Sequence, residues 1–408
     1  MNPAPAKGIT PADAQRLIGE HLACLPIESL PVAQCAGAVL RENVYAERDQ
    51  PPFDRVSMDG IALASHGVAA RTSSRELRIQ ATQAAGDAPL ALTSPAHCIE
   101  IMTGAVLPGG CDTVVPIEQV TLHEGVATLA ATAQPTPWRN VHRRGSDGRQ
   151  GDLLIATGAV LHAPEIAVAA SAGMARLRVS SQPAIVVVST GNELIEPGEA
   201  IAPHQIRRSN AYAVAAALHE HGFVRVADDH LPDDAALLRE RLDFHLRTHD
   251  VLILSGGVSM GKFDLVPQVL TELGVQCLLH GIAQRPGRPM WFGTTTSGRA
   301  VFALPGNPVS TLVCLSRYVL PALYAAMGQT IDASERIALS EPIEWQPALT
   351  GFMPVAVHHD DWGRPWASPR PTNGSGDFGA LALTQGIVEL PPGPASFKKG
   401  FVTRLYRW

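Results

Sequence analysis

Between about residues 184 and 328 the chain alternates short β-branched runs with helix-length stretches, and this rhythm constrains the fold more than any other feature. Residues 184–188 (Ala-Ile-Val-Val-Val) read as a strand buried on both faces, the pattern of a parallel sheet. Further strands are expected at 224–227, 251–254 and 301–304. Helices are expected from Asn210 to His221, from about Asp234, from Leu265 to Leu273, and from Val309 to Met327, with Gly222 and Gly274 as stops. Alternating strands and helices indicate an open, doubly wound, mostly parallel α/β sheet. Ligands of such sheets bind beyond the carboxyl ends of the strands.

The flanks read differently. Residues 11–47 look helical, 51–140 form a small β-rich insertion, and the tail after Gly328 suggests a β-barrel-like domain. The expected division is 1–50 with 141–180 as an elongated linking and dimerisation domain, 51–140 inserted, 181–329 α/β, and 330–408 C-terminal β. With 408 residues, several domains are needed. A net charge of −6 argues against a nucleic-acid binder. Only four of the 32 basic residues are lysines (Lys7, Lys262, Lys398 and Lys399), so a Lys-to-Arg exchange here carries little functional weight. Six cysteines without a CxxC pair exclude a zinc framework and read as buried packing. No signal peptide and no apolar run of bilayer length is expected, so the reading is a cytoplasmic protein without a membrane partner.

Several strand ends carry residues suited to anion chemistry. Ser255-Gly256-Gly257-Val258-Ser259 can present backbone amides to a phosphate, although its spacing is neither a P-loop nor a dinucleotide fingerprint. Glu193, Asp233, Asp234 and Asp264 gather at the same edge, and converging carboxylates beside phosphate suit Mg²⁺. Asp233 also stands where a helix N-cap belongs, which is the competing structural reading. Arg285 and Arg288, in a Pro-Gly-Arg-Pro loop, match an oxyanion. Pro305, Gly306, Asn307 and Ser310 end the next strand and open a helix. Asp59, in Met58-Asp59-Gly60, is by residue physics alone a turn. His358-His359 in a strand would face opposite ways and make a poor metal site.

Together these strings resemble the molybdopterin molybdenumtransferase family (MoeA and gephyrin E-domain type). The resembling stretches are Pro51-Pro52-Phe53-Asp54, Met58-Asp59-Gly60, Ile101-Met102-Thr103-Gly104-Ala105, Asp112-Thr113-Val114-Val115-Pro116, Gly145-Ser146-Asp147, Ser189-Thr190-Gly191-Asn192-Glu193-Leu194, Ser255 to Ser259, Pro286-Gly287-Arg288-Pro289 and Leu304 to Ser310. The resemblance implies an elongated four-domain homodimer in which adenylyl-molybdopterin and molybdate react, with Mg²⁺, to molybdenum cofactor and AMP. By motif match, Glu193, Asp233 and Asp264 serve metal and pyrophosphate chemistry, and Arg285 and Arg288 hold phosphate or molybdate. Asp59, Thr103 and Asp147 would come from the facing subunit, and Ser375 would sit at the molybdate pocket. The upstream adenylyltransferase and acceptor molybdoenzymes are the implied protein partners. The chain departs from the family pattern at Arg208, where an acid is usual, and at Met353-Pro354, where an arginine is expected. A diverged paralogue, acting as molybdopterin adenylyltransferase or as a non-catalytic cofactor-binding scaffold, is the alternative.

Overall fold

The computed structural model describes residues 7–69, 75–257, 265–330 and 335–408. Its central sheet has six strands in the order Val226–Leu231, Ile185–Thr190, Val251–Ser255, Ala300–Leu304, Trp291–Thr294, Gln276–His280. Only Trp291–Thr294 runs against its neighbours, so five of the six strands point one way. Side chains alternate across the sheet. Ile185, Val187, Ile253 and Phe302 enter one core, while Val186, Val188, Leu252 and Val301 enter the other. Helices therefore cover both faces, as the β-branched runs predict.

The edge strand lies later than expected, at Val226–Leu231 rather than 224–227, and so contains Asp228 and Asp229. An edge position tolerates such residues because one side is unpaired and charged neighbours reach it. Arg241 and His245 both bond the Asp229 carboxylate at 2.7 Å. The two strands Gln276–His280 and Trp291–Thr294 were not foreseen, since a Gly- and Pro-bearing loop separates them and hides their pairing.

The segment 11–47 is mostly not helical. A helix runs only from Pro11 to His21, with the Thr10 hydroxyl accepting from the Asp13 amide. Pro26 and Pro31 then impose extended backbone, and Ile27–Pro31 pairs antiparallel with Arg176–Ser180. The insertion holds a six-stranded sheet ordered Thr113–Pro116, Gly60–Leu63, His97–Ile101, Glu76–Gln83, Val126–Leu129, Val120–His123.

After residue 335 the strands Thr350–His359, Pro365–Pro369, Arg336–Leu339, Val402–Arg407 and Gly386–Leu390 pair in that order. The last returns to the first, closing a five-stranded barrel. Closure covers most of the sheet edge, leaving open the start of the strand Thr350–His359. A short strand, Gln284–Arg285, leaves the α/β unit and pairs in parallel with Thr350 and Gly351 of the barrel.

One helix, Pro308–Ala326, is apolar and long enough to cross a membrane, contrary to the reading that no stretch is; 83% of that window is buried inside the protein. Its middle widens into a π-turn at Leu315–Val319. Pro321 follows directly, and a widened turn accommodates a residue that lacks an N–H and crowds the preceding carbonyls. Arg317 lies within this turn and is fully buried. It donates to Gln15 Oε1 at 2.7 Å, and its Nε sits 3.5 Å from Glu389 Oε2 on the barrel. Its guanidinium also lies over the Tyr318 and Tyr406 rings, which ties the N-terminal helix, the α/β unit and the barrel to one cation.

Candidate functional site

The carboxyl ends of the parallel strands open into three adjoining hollows. The largest, about 880 Å³, separates the α/β unit from the barrel. The other two, about 380 and 460 Å³, lie over the strand ends themselves. Asn307 lines all three. It stands at the N-terminus of the Pro308–Ala326 helix, yet its side chain caps nothing there. Instead Asn307 Nδ2 donates to Ser375 Oγ at 2.8 Å, and the Val309 amide donates to the Ser375 carbonyl. The helix start, with Pro305, Gly306 and Ser310, is thereby bound to the barrel loop that carries Ser375.

The glycine turn is built for close backbone approach. Gly256 has φ +99°, and a Cβ there would lie 2.8 Å from the Thr190 carbonyl oxygen. Gly257 has φ +66°, and a Cβ would meet Val266 Cγ2 at 2.7 Å. Beside them the Thr190 hydroxyl is buried and has no hydrogen-bond partner among the described residues. An orphaned buried donor beside bare backbone suits an anion that would satisfy it. Asn210, expected to cap a helix, does otherwise. Ser209 takes the cap position, and Asn210 Nδ2 bridges Ser255 Oγ (2.9 Å) and the Gly306 carbonyl (2.8 Å), joining two strand ends. Sequence reasoning missed both Thr190 and Asn210 as site residues. The signal was present for each, as a polar residue at the end of a strand or the start of a helix.

Glu193 and Asp233 line one hollow together with Gly256, Gly257 and Asn307. The cap of the Ala235–Thr248 helix is Asp234, whose Oδ1 accepts from the Leu237 amide at 2.9 Å, so Asp233 is released from the structural role first assigned to it. Glu193 folds back over Gly191, where a Cβ would stand 2.5 Å from Glu193 Oε2. Ser259 and Asp264 lie outside the described residues. Among the described residues no three His, Cys, Asp or Glu side chains form a metal-binding group. Two carboxylates facing a phosphate-sized hollow still fit Mg²⁺, which commonly takes one or two protein carboxylates and fills its shell from water and substrate phosphate.

Arg285 and Arg288 line the large hollow. Neither has a carboxylate partner among the described residues, and both are exposed. The loop between them is fixed from below. Gly287, at φ +90°, sits where a Cβ would clash with Gln284 Nε2 at 2.6 Å and Cys314 Sγ at 2.8 Å. Buried Gln284 donates to the Pro286 carbonyl at 3.0 Å and accepts from the Tyr318 hydroxyl. Two cations are thus presented on a rigid turn, and among the described residues Glu344, already bonded by Ser396 at 2.5 Å, is the one carboxylate on the same hollow.

Arg208 lines the hollow of about 380 Å³, but its charge is already taken up by protein groups. It is 5% exposed and donates to Ser189 Oγ, Glu196 Oε1 and Asp228 Oδ2 at 3.1, 2.6 and 2.6 Å. The hydrogen bond from Arg208, then that from Tyr212, holds the Glu196 carboxyl below its ordinary range. The charge at this position is reversed relative to the expected acid, and two carboxylates balance it. The Met353-Pro354 positions also line the large hollow, with no cation of their own.

Asp59, Thr103 and Asp147 do not join this cleft within one chain. Asp59 Oδ1 accepts from the Thr103 amide (2.6 Å) and hydroxyl (2.7 Å), and these two bonds, the amide first, lower its pKa. Asp147 lines a separate hollow with Gln50 and Arg55, and its bond from His142 at 2.7 Å lowers its pKa. Thr103→Val should move the Asp59 pKa part of the way back towards about 4. The shift is partial because the backbone donor remains. A depressed folded-state pKa contributes stability above the ordinary carboxylate pKa and loses it as pH falls through the lowered value. Carboxyl-carbon NMR titration reads the shift directly, and an unmoved pKa would show that the hydroxyl contributes nothing.

The cysteines carry no activating partner. Burial pushes the Cys98 and Cys111 thiols up to about 12, as packing residues should be, though Cys24 is exposed rather than packed. His358 and His359 sit on successive strand positions, and His358 Nδ1 meets only Ser368 Oγ, at 3.2 Å.

The chain matches three family regions in succession. They are the MoeA N-terminal region (domain I and II) over residues 9–173, a probable molybdopterin binding domain over 186–325, and the MoeA C-terminal region (domain IV) over 336–404. A molybdopterin molybdenumtransferase of Synechocystis is 37% identical over 401 residues, covering 98% of this chain and 100% of the relative. A molybdopterin molybdenumtransferase 2 of Mycobacterium tuberculosis is 34% identical over 322 residues, with 77% and 78% covered. Among solved structures, a molybdopterin biosynthesis MoeA protein of Pyrococcus horikoshii superposes with TM-score 0.82 at 29% identity, over 98% of this chain and 99% of that one. Identity at this level across the whole length, with the same succession of regions, settles the kinship: the chain belongs to the molybdopterin molybdenumtransferase family.

Proposed function

We propose that the chain inserts molybdenum into adenylylated molybdopterin, giving molybdenum cofactor and AMP. The observation that carries this reading is the continuity of an anion cradle, a carboxylate pair and an unpaired arginine loop around Asn307. The nucleotide substrate is a polyanion with a phosphoanhydride, and molybdate is a second, tetrahedral oxyanion. Gly256, Gly257, Thr190 and the helix start at Gly306-Asn307 would hold the phosphates through backbone and hydroxyl donors. Arg285, Arg288, Ser310 and Ser375 would hold molybdate in the large hollow.

Glu193 and Asp233 are the residues that would hold Mg²⁺, which when bound would offset the charge of the anhydride. Water attacking one phosphorus breaks its bond to the bridging oxygen, so AMP leaves and the pterin keeps its own phosphate. Both dithiolene sulfurs would bind molybdenum as one molybdate oxygen departs as water, carrying the two thiol protons. The protein contributes mainly positioning and charge neutralisation rather than a nucleophile. We further propose a homodimer in which Asp59, Thr103 and Asp147 of one subunit complete the cleft of the other, because the two hollows that Glu193 lines contain none of them among the described residues.

The test uses purified protein, adenylyl-molybdopterin, Mg²⁺ and micromolar molybdate. AMP release and reconstitution of an apo-molybdoenzyme should both rise with molybdate. Nucleotide binding without either signal would point to the scaffold reading. Formation of adenylyl-molybdopterin from molybdopterin and ATP would point to the adenylyltransferase.

A further inference from the structure

Beside the barrel wall of the large hollow stands a cation that the sequence motifs did not mark, Arg370, which is not itself one of the lining residues. Strand Thr350–His359 pairs antiparallel with Pro365–Pro369, with Val355 opposite Pro369 and Val357 opposite Ala367. Val355 and Ala367 are in the barrel core, so this set of positions faces inward. The intervening positions face out, towards the α/β unit, and Phe352 packs into that unit's core accordingly. The ladder continues one residue further, because the Arg370 amide donates to the Pro354 carbonyl at 2.8 Å. Arg370 is therefore the cross-strand neighbour of Pro354, and opposite residues of an antiparallel pair share a face.

Pro354 lines the large hollow, and so do Pro371, Thr372, Asn373, Gly374 and Ser375, the residues that follow Arg370. Arg370 is thus flanked on both sides by the wall of the cleft. It is exposed, and its guanidinium has no carboxylate partner among the described residues. The opposite wall already presents Arg285 and Arg288 without counter-ions. A third unpaired guanidinium at the rim fits a site that takes a compact dianion, since such a fork binds oxyanions bidentately and needs little reorganisation to do so.

Resting on the functional reading above, we propose that Arg370 is a molybdate-binding residue, closing the barrel side of the oxyanion site from across the strand pair while Pro354 supplies only shape. The proposal involves no bond-making step by Arg370, only binding of a tetrahedral oxyanion.

The experiment compares wild-type protein with Arg370→Ala, Arg370→Lys and the swap Arg370→Ala/Pro354→Arg. Molybdate binding is measured by equilibrium dialysis with elemental detection, and AMP release is followed against molybdate and against adenylyl-molybdopterin. Arg370→Ala should raise the molybdate dissociation constant and half-saturation about tenfold or more, the cost of one charge-assisted contact. Half-saturation by the nucleotide substrate should stay within about twofold, since that substrate's phosphates lie on the glycine turn. Lysine should recover part of the loss, and the swap should recover most of it. Arg336→Ala, on a barrel strand that takes no part in the cleft, controls for loss of positive charge alone. Wild-type molybdate dependence in Arg370→Ala overturns the proposal, as does equal weakening towards both substrates. If wild-type protein neither binds molybdate nor releases AMP, the functional reading itself fails, and the proposal falls with it.

Discussion

Glu193→Gln should lower the rate of molybdate-dependent AMP release by about 10²-fold or more, with a thermal midpoint indistinguishable from wild type. The substitution keeps the shape of the side chain and removes its charge. Glu193 is exposed at a strand end, and its carboxylate bonds no described side chain, so folding loses nothing measurable. What is lost is half of the carboxylate pair, since Asp233 is the other acid on that hollow among the described residues. If the pair holds Mg²⁺, the variant also needs a higher Mg²⁺ concentration for half-maximal rate. Undiminished turnover would remove Glu193 from the site. A parallel fall in thermal midpoint would recast it as a structural residue.

The second large effect concerns stability. Arg317→Ala should cost about 3 kcal/mol or more, because breaking a buried ion pair leaves its partner uncompensated. Arg317 is wholly enclosed, and Glu389 is its nearest carboxylate. Glu389 Oε2 also accepts from the Tyr406 hydroxyl at 2.6 Å, and that bond would remain to it. Replacing both partners with uncharged residues of similar volume, Arg317→Met with Glu389→Gln, should be milder than the single change, since no lone charge is then stranded. Urea unfolding of the purified proteins checks the order. A single variant as stable as wild type would mean that the Tyr318 and Tyr406 rings and Gln15 carry the junction without the charge.

Much of the architecture was legible because it rests on local patterns. The runs at Ile185–Thr190 and Val251–Ser255 announce themselves through β-branched residues that must be buried on both faces. The edge strand Val226–Leu231 did not, because Asp228 and Asp229 are stabilised by Arg208, Arg241 and His245, which are distant in sequence. The stretch 22–47 was misread for a related reason: its strand exists only through pairing with residues 176–180.

The site divides along the same line. The glycine turn, the carboxylates and the arginine loop follow strand ends and could be read from the chain. The rigid backing of the arginine loop could not, since Gln284, Cys314 and Tyr318 converge from separate elements. Nor could the role of Asp233, which depended on whether it or Asp234 caps the following helix. Arg208 shows the same limit from the other side. Its sign looks wrong for its position until Glu196 and Asp228 are seen around it.

The two-residue pairing of Gln284 and Arg285 with Thr350 and Gly351 has a mechanical consequence. It stitches the floor of the arginine loop to the first barrel strand, while Asn307 and Ser375 stitch the opposite side. Swinging the barrel outward would break both seams, at roughly 1 kcal/mol for each hydrogen bond lost. The gap between the walls therefore behaves like a gauge block rather than a jaw, set to one spacing by the two seams. A ligand entering between the walls thus meets both already set in place, and its binding does not have to pay for ordering the barrel against the sheet.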